Sequence, residues 1–410
     1  MYKIREERDE RADTLMIPAM LDVHFPLLKY TFYSPRYAPV ILENEKDIIA
    51  TGLRYVHNDM CFPCILNVGQ MIDALQSGVY DPKHTLLLMP SAGDACRGAN
   101  YTEILRKAVE KAGFTDTKVL SLNVQKIDVE HQMHIEWYMV WRGLFGLYYG
   151  DMLLLLTQQT RPYEAEHGAA DACYWRWVEK LSEDLKQGRH MTLGAMKRNF
   201  KRMAEDFAAI PRTGEKKQRI GLVGELYIRY CHLGNRNMVK YLEESGCESY
   251  TNGLSWYALY YINSHFSDGG LWMRLAGKIL YKFMLHIQKA MLSAIREAGL
   301  FALPDFAQSK AEVQKFISTE GGVGDGWLIG MEATAYLRHG IPKVLAVQPF
   351  GCMPSHVFGR GQYASLARRL GGQIVSIDFD SGSSEVNILN RARLLIDGCF
   401  AEQFDKTEKT

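Results

Sequence analysis

The sequence predicts an α/β protein built on mostly parallel sheets, and three observations carry that expectation. Short apolar runs alternate with amphipathic helical stretches, the rhythm of βαβ units. Two of those runs, HTLLLMP (84–90) and KVLAVQP (343–349), are apolar at nearly every position, as strands covered on both faces are. The rhythm also occurs twice, on either side of a long stretch in which only helical patterns are found.

In the first stretch TLMIPAM (14–20) and APVILE (38–43) read as short strands. From Cys64 to Ser77 the apolar residues Ile65, Val68, Met71, Ile72 and Leu75 recur at helical spacing. HTLLLMP follows as a buried strand ending at Pro90, then YTEILRKAVEKAGF as an amphipathic helix closed by Gly113, then KVLSL (118–122) as a strand. Residues 126 to about 212 are rich in Trp, Tyr, Met and Leu and contain no strand pattern. The polar run from Gly214 to Arg219 closes them. IGLVGELYIRY then reads as a strand emptying into a turn, and Asn237 to Ser245 as a short helix. A long amphipathic helix covers Trp272 to Gly299. The chain finishes with the strand KVLAVQP, the helix YASLARRLG, the strand QIVSIDFD and the helix SEVNILNRARLLI. The expected domains are therefore 1–125, an α/β unit; 126–215, a helical insertion; and 216–410, a second α/β unit.

At 410 residues the chain is too long for one compact core. A hydrophobic fraction of 47% and a charged fraction of 23% are those of an ordinary globular protein. A formal net charge of +1 argues against a nucleic-acid partner, which would call for a basic excess. The charged N-terminus MYKIREERDERADT has no apolar centre and so lacks a secretory signal. Arg142, Asp151 and three glycines interrupt the apolar segment from Trp137 to Leu156, which reads as a buried helix rather than a membrane span. Eight cysteines in such a chain suit a reduced, cytoplasmic protein better than a disulfide scaffold.

Four of those cysteines stand where an element gives way to a turn: Cys61 and Cys64 in NDMCFPCILNVGQ, Cys96 in MPSAGDACRGANY and Cys352 in VQPFGCMPSH. Thiolates that bind metal favour such bends, where free amide N–H groups moderate the sulfur charge. Gly93 and Gly98 flank Cys96, Arg97 is adjacent to it, and Gly351 precedes Cys352. The Cys-x-x-Cys pair at a helix start also fits a redox dithiol. A zinc site would want a second close pair of ligands, and none is seen. An iron–sulfur cluster accepts ligands from distant loops, and strand ends in doubly wound folds are where ligand crevices form. Cys231 and Cys247 are the fifth and sixth candidates for metal ligation; Cys173 and Cys399 fall in apparent helices. Glu225, after Gly224, is a candidate proton donor or helix cap. His356, four residues after Cys352, is a candidate proton donor in the useful pH range. GGVGDG (321–326) has the look of a glycine-rich phosphate loop, but no clear strand precedes it.

These segments resemble a known family. CFPCILNVGQMIDAL with MPSAGDACRGANYTEILRKAVEKAGF, followed by IGLVGELYIRY, GDGWLIGMEA, VQPFGCMPSH and IDFDSGSSEVNILNR, is similar to the 2-hydroxyacyl-CoA dehydratase superfamily. The likeness is closest to its large activase-associated and double-cubane cluster proteins. It runs over most of residues 14 to 398 and is weakest in the helical middle. It implies two Rossmann-like domains with a helical insertion, an iron–sulfur cofactor, a homodimer, and a separate ATP-hydrolysing iron–sulfur activator that injects low-potential electrons. Dehydratase-type members would hold a [4Fe–4S] cluster on three cysteines and act on an acyl-CoA. Double-cubane members would hold an [8Fe–9S] cluster on six thiolates and reduce a small molecule. The count of eight cysteines permits the latter, and a double-cubane reductase is the first expectation; a [4Fe–4S] dehydratase subunit or a non-catalytic electron relay are the alternatives.

Overall fold

The computed structural model describes residues 12–91, 96–122, 133, 135–266 and 270–398. Gly93, Cys399 and the expected domain boundary at 125/126 lie outside the described residues. The fold is α/β, with two four-stranded, all-parallel sheets of Rossmann-like organisation. The first contains β1 (Asp13–Ile17), β2 (Tyr37–Ile41), β3 (Thr85–Pro90) and β4 (Lys118–Leu122) in the order β2-β1-β3-β4. The second contains β5 (Gln218–Gly224), β6 (Cys247–Tyr250), β7 (Lys343–Pro349) and β8 (Gln373–Phe379) in the order β6-β5-β7-β8. The two orders are the same walk across the sheet, so the two halves repeat one topology.

Strand burial follows the apolar runs. All seven residues of β7 are buried, and in β3 only Pro90 is not. The edge strand β6 departs from expectation. Its sequence CESY has no apolar pattern, and it forms as a strand by pairing in parallel with β5, from Gln218 opposite Cys247 to Gly221 opposite Tyr250. Glu248 of this strand is buried, held by Arg219 and the Tyr163 hydroxyl. Helices not foreseen in the sequence include Ile48–Tyr55, Ser255–His265, Phe306–Val313 and Gly326–Arg338.

The helical region packs as expected from its composition, although it is not a closed insertion. Helices Trp137–Gln158, Ala169–Gln187 and Leu193–Ala208 share one core with helix Leu271–Glu297 from beyond β6. Cys173 is buried in that core, as a packing thiol. No described helix is long and apolar enough to cross a membrane. In the most apolar helix, Asp151 is fully buried, accepts from the Ser255 amide at 3.0 Å and lies 2.8 Å from His24 Nε2, while Arg142 donates to the Tyr33 and Lys186 carbonyls.

The helix that carries Cys64, Phe62–Gln76, lies backbone against backbone on helix Ile48–Tyr55. A Cβ added at Gly69 would fall 1.9 Å from the Ile48 carbonyl oxygen, a contact no flexible side chain can relieve. Overpacking of this kind costs about 3 kcal/mol. Gly69→Ala is therefore expected to lower the unfolding free energy by that amount, seen as a lower urea midpoint at unchanged slope; full stability would remove the close approach from the account.

Candidate functional site

In a parallel unit the carboxyl ends of the strands and the amino ends of the following helices share one edge. Here those edges of the two sheets meet. The Asp22 amide, beyond β1, donates to the Tyr230 carbonyl, beyond β5, at 3.1 Å. Ile48, Phe62 and Leu66 of the first unit pack in one cluster with Leu222, Ile228 and Val347 of the second.

Four loops bring chemistry to this seam. Cys61 caps helix Phe62–Gln76 at the positive end of its dipole, and its carbonyl accepts from the Cys64 and Ile65 amides at 2.9 and 3.2 Å. Cys64 sits one turn inside that helix and is wholly buried. Cys96 precedes the short 3-10 turn Arg97–Asn100, and the Gly98 amide donates to its sulfur at 3.4 Å. Cys352 follows β7 by way of Gly351, whose φ of 71° makes the turn, and its Sγ lies 3.2 Å from the Ser355 hydroxyl. None of the seven described cysteines is joined in a disulfide.

Glu225 joins the two sides. Gly224 ends β5 with φ 129°, against the Val347 carbonyl, where a Cβ would approach to 1.9 Å; only glycine allows that crossing, and it puts Glu225 at the seam. The Glu225 carboxylate accepts from the Ile228 amide at 2.9 Å, so it does cap the short helix Leu226–Tyr230. It also acts electrostatically on Cys61 from one unit and Cys352 from the other. Burial pushes the Cys61 thiol up to about 12, with Glu225 adding to the rise, a hydrogen bond to Tyr101 opposing it, and Cys96 and Cys64 adding smaller contributions. Burial likewise pushes Cys64 to about 12 and raises Cys352, the latter again with help from Glu225. Cys61, Cys64 and Cys352 thus lie with Glu225 in desolvated surroundings that raise the thiols.

Two contributors escaped sequence reasoning. Asp325, at the head of helix Gly326–Arg338, is buried, and burial followed by repulsion from Glu225 raises its carboxyl well above the usual range. It sits in the GGVGDG loop, which has no preceding strand and packs on the turn after Cys352: a Cβ at Gly324 would lie 2.7 Å from Pro354. That loop is therefore a seam element, a reading its glycines alone did not distinguish from a phosphate cradle. Tyr101, the partner of Cys61, looked like the ordinary first residue of an amphipathic helix.

Other expected site residues are positioned differently. Arg97 turns away from Cys96 and donates to the Asp59 carbonyl at 2.6 Å, tying the Cys96 loop to the turn before Cys61. His356 does stand beside Cys352, but its Nδ1 is 2.7 Å from the Cys352 carbonyl oxygen, and its Nε2 faces Arg360 and Asp378 at 3.3 and 3.7 Å. Asp378, near the end of β8, pairs with Arg360 at 2.7 Å. Cys247 stands apart from the four-cysteine group, and Cys231 has its own surroundings. Cys247 opens β6 at the amino edge of its sheet, at a level before Lys343, whereas Cys352 lies beyond Pro349. Six residues of strand separate those levels, about 20 Å. Cys231 is buried after helix Leu226–Tyr230, its thiol 3.4 Å from the Ala19 carbonyl, and its charged neighbour is Asp22 rather than Glu225.

No protein-family model, curated protein or solved structure matches the chain.

Proposed function

We propose that Cys61, Cys64, Cys96 and Cys352 hold a single [4Fe–4S] cluster, and that the chain is an iron–sulfur enzyme component of the 2-hydroxyacyl-CoA dehydratase type. In this reading a separate ATP-hydrolysing iron–sulfur activator supplies its low-potential electrons, and the substrate is an acyl-CoA or another small molecule. The observation that carries the reading is that Glu225 acts on both Cys61 and Cys352, from loops far apart in the chain, while Cys64 and Cys96 act on Cys61. Four thiols match the ligand number of one cubane. A double cubane would need six, and the remoteness of Cys247 weighs against it.

Bound there, such a cluster would supply one-electron chemistry. The chain's own contributions follow from its geometry. Burial of Cys64 and Cys352 keeps water from the sulfur. The Gly98 amide, the Ser355 hydroxyl and the amino end of helix Phe62–Gln76 soften thiolate charge. Glu225 and Asp325, both raised by burial, retain a proton more readily than exposed carboxyls, so either carboxyl oxygen is a source of protons to accompany arriving electrons. His356 holds the Cys352 turn through its backbone and has a positioning role.

A protein partner is supported by an unusual surface. Leu271, Trp272, Leu275 and Ile279 lie on one stripe of helix Leu271–Glu297 and are exposed, Trp272 at 81%. A homodimer of the expected kind would cover it.

Anaerobic purification followed by iron and acid-labile sulfide determination tests the cluster. About four irons and four sulfides per chain are expected. About eight would restore the double cubane, and none would remove the cluster from the account.

A further inference from the structure

The seam holds a second group of metal-ligating side chains, away from Glu225. Asp22 follows β1 in the first unit; Cys231 and His232 follow β5 in the second. One ligand atom from each lies within 4.8 Å of the other two. The nitrogen facing Asp22 is His232 Nδ1, 3.0 Å from Asp22 Oδ2. The other ring nitrogen, Nε2, is 3.0 Å from a Glu45 carboxylate oxygen. This is the arrangement found behind metal-bound histidines: a carboxylate on the far nitrogen fixes the ring, orienting the near nitrogen to ligate. Cys231 is held as well: its thiol lies 3.4 Å from the Ala19 carbonyl oxygen, and its own carbonyl accepts from the Gly234 amide at 3.1 Å. Asp22 is itself fixed, its carboxylate accepting from the His232 amide at 2.7 Å.

We infer that Asp22, Cys231 and His232 form a three-ligand site for a zinc-class divalent cation, clamped across the two α/β units. The donor set of one sulfur, one nitrogen and one oxygen suits a borderline-soft ion. Tetrahedral ligands about such an ion are separated by about 3.3–3.8 Å, so the three atoms need shift by less than about 1 Å. The fourth position faces a cleft of about 540 Å³, lined by Asp22 and His232 together with Gln158, Arg161, Asn235 and Thr251. A site with three protein ligands and an open fourth is the pattern of zinc centres that hold water or a small polar ligand. On binding, the cation displaces the proton shared between Nδ1 and Oδ2 and the thiol proton of Cys231, so loading releases protons to solvent.

The test is a Co²⁺ titration of chelator-treated, full-length protein, read by sulfur-to-cobalt charge-transfer absorption and by proton release. The Cys61–Cys64 pair also attracts cobalt, so the same titration is run on Cys61→Ser/Cys64→Ser protein, or on Cys96→Ser should that variant not fold. One tight equivalent with charge-transfer absorption is expected to survive there and to vanish in Cys231→Ser. Glu45→Gln is expected to weaken binding by about tenfold. If circular dichroism shows that Cys231→Ser is unfolded, His232→Gln, at a half-exposed position, replaces it, with loss of the tight equivalent expected. Absorption unchanged by the Cys231 or His232 variant, or no cobalt bound once the cluster cysteines are replaced, overturns the site. Iron content is measured on the same preparations, so failure here is distinguishable from failure of the cluster reading.

Discussion

Cys96→Ser is expected to reduce iron and sulfide from about four of each to less than about one per chain, with loss of the brown chromophore and of all electron-accepting activity. Cys61→Ser and Cys64→Ser are expected to do the same. The reason is geometric. These thiols come from two loops of one unit, and two of them are a single helical turn apart, so losing any one removes a side of the cradle. Serine keeps the size but not the soft, easily ionised donor. The contrast lies in Cys231→Ser and Cys247→Ser, which stand apart from Glu225 and are expected to retain iron at the level of the unaltered chain. Metal analysis of the five purified proteins, prepared without oxygen, decides the matter. Equal iron loss in the Cys247 variant would restore it as a ligand and break the proposed grouping.

Glu332→Gln is expected to destabilise the fold by about 3–5 kcal/mol, the largest effect of any single substitution outside the cysteines. Glu332 and Arg229 are both fully buried and pair directly, joining helix Gly326–Arg338 to helix Leu226–Tyr230. Arg229 Nε and Nη2 have no hydrogen-bond partner, so the guanidinium depends on Glu332 and on the face of Tyr230, 4.5 Å away. Glu332 holds Arg229 charged, above its already high pKa, against the pull of burial. Burial raises the Glu332 carboxyl, opposed by Arg229 and a weaker contact from Asn252. Neutralising one partner leaves the other's charge in a dry interior, which is the costly case. An Arg229→Met/Glu332→Leu double variant is expected to recover most of the loss in equilibrium urea unfolding, because it removes both charges. A single-variant cost below about 1 kcal/mol would show that water reaches the pair.

How much of this was readable beforehand depends on the physical range of each signal. The buried strands β3 and β7 are visible because burial on both faces demands apolar residues in succession. The helix Phe62–Gln76 shows itself through Pro63 at its start and its regular apolar face. The strand β6 does not, since an edge strand pairs on one side only and CESY is stabilised by its neighbours' side chains rather than by its own composition. For that reason Cys247 looked like a loop cysteine. The turns bearing Cys61, Cys64, Cys96 and Cys352 were also legible, as strand ends and helix starts. That Cys61 and Cys352 lie near one carboxylate was not, because proximity between residues hundreds of positions apart is a property of how two sheets face each other. Asp325 was hidden for the same reason. Nothing local separates it from any acidic residue between glycines.

The buried contact of Asp151 with His24 and the Ser255 amide has a mechanical consequence. Helix Trp137–Gln158 is apolar on nearly every side, and a greasy rod of that sort would glide or rotate among its neighbours at little cost. With one acid gripped by a loop of the first sheet and by the segment after β6, any slip strands an ionisable group without company. The helical layer is thus pinned in register to both sheets, and motions that open the seam must carry it along as ballast.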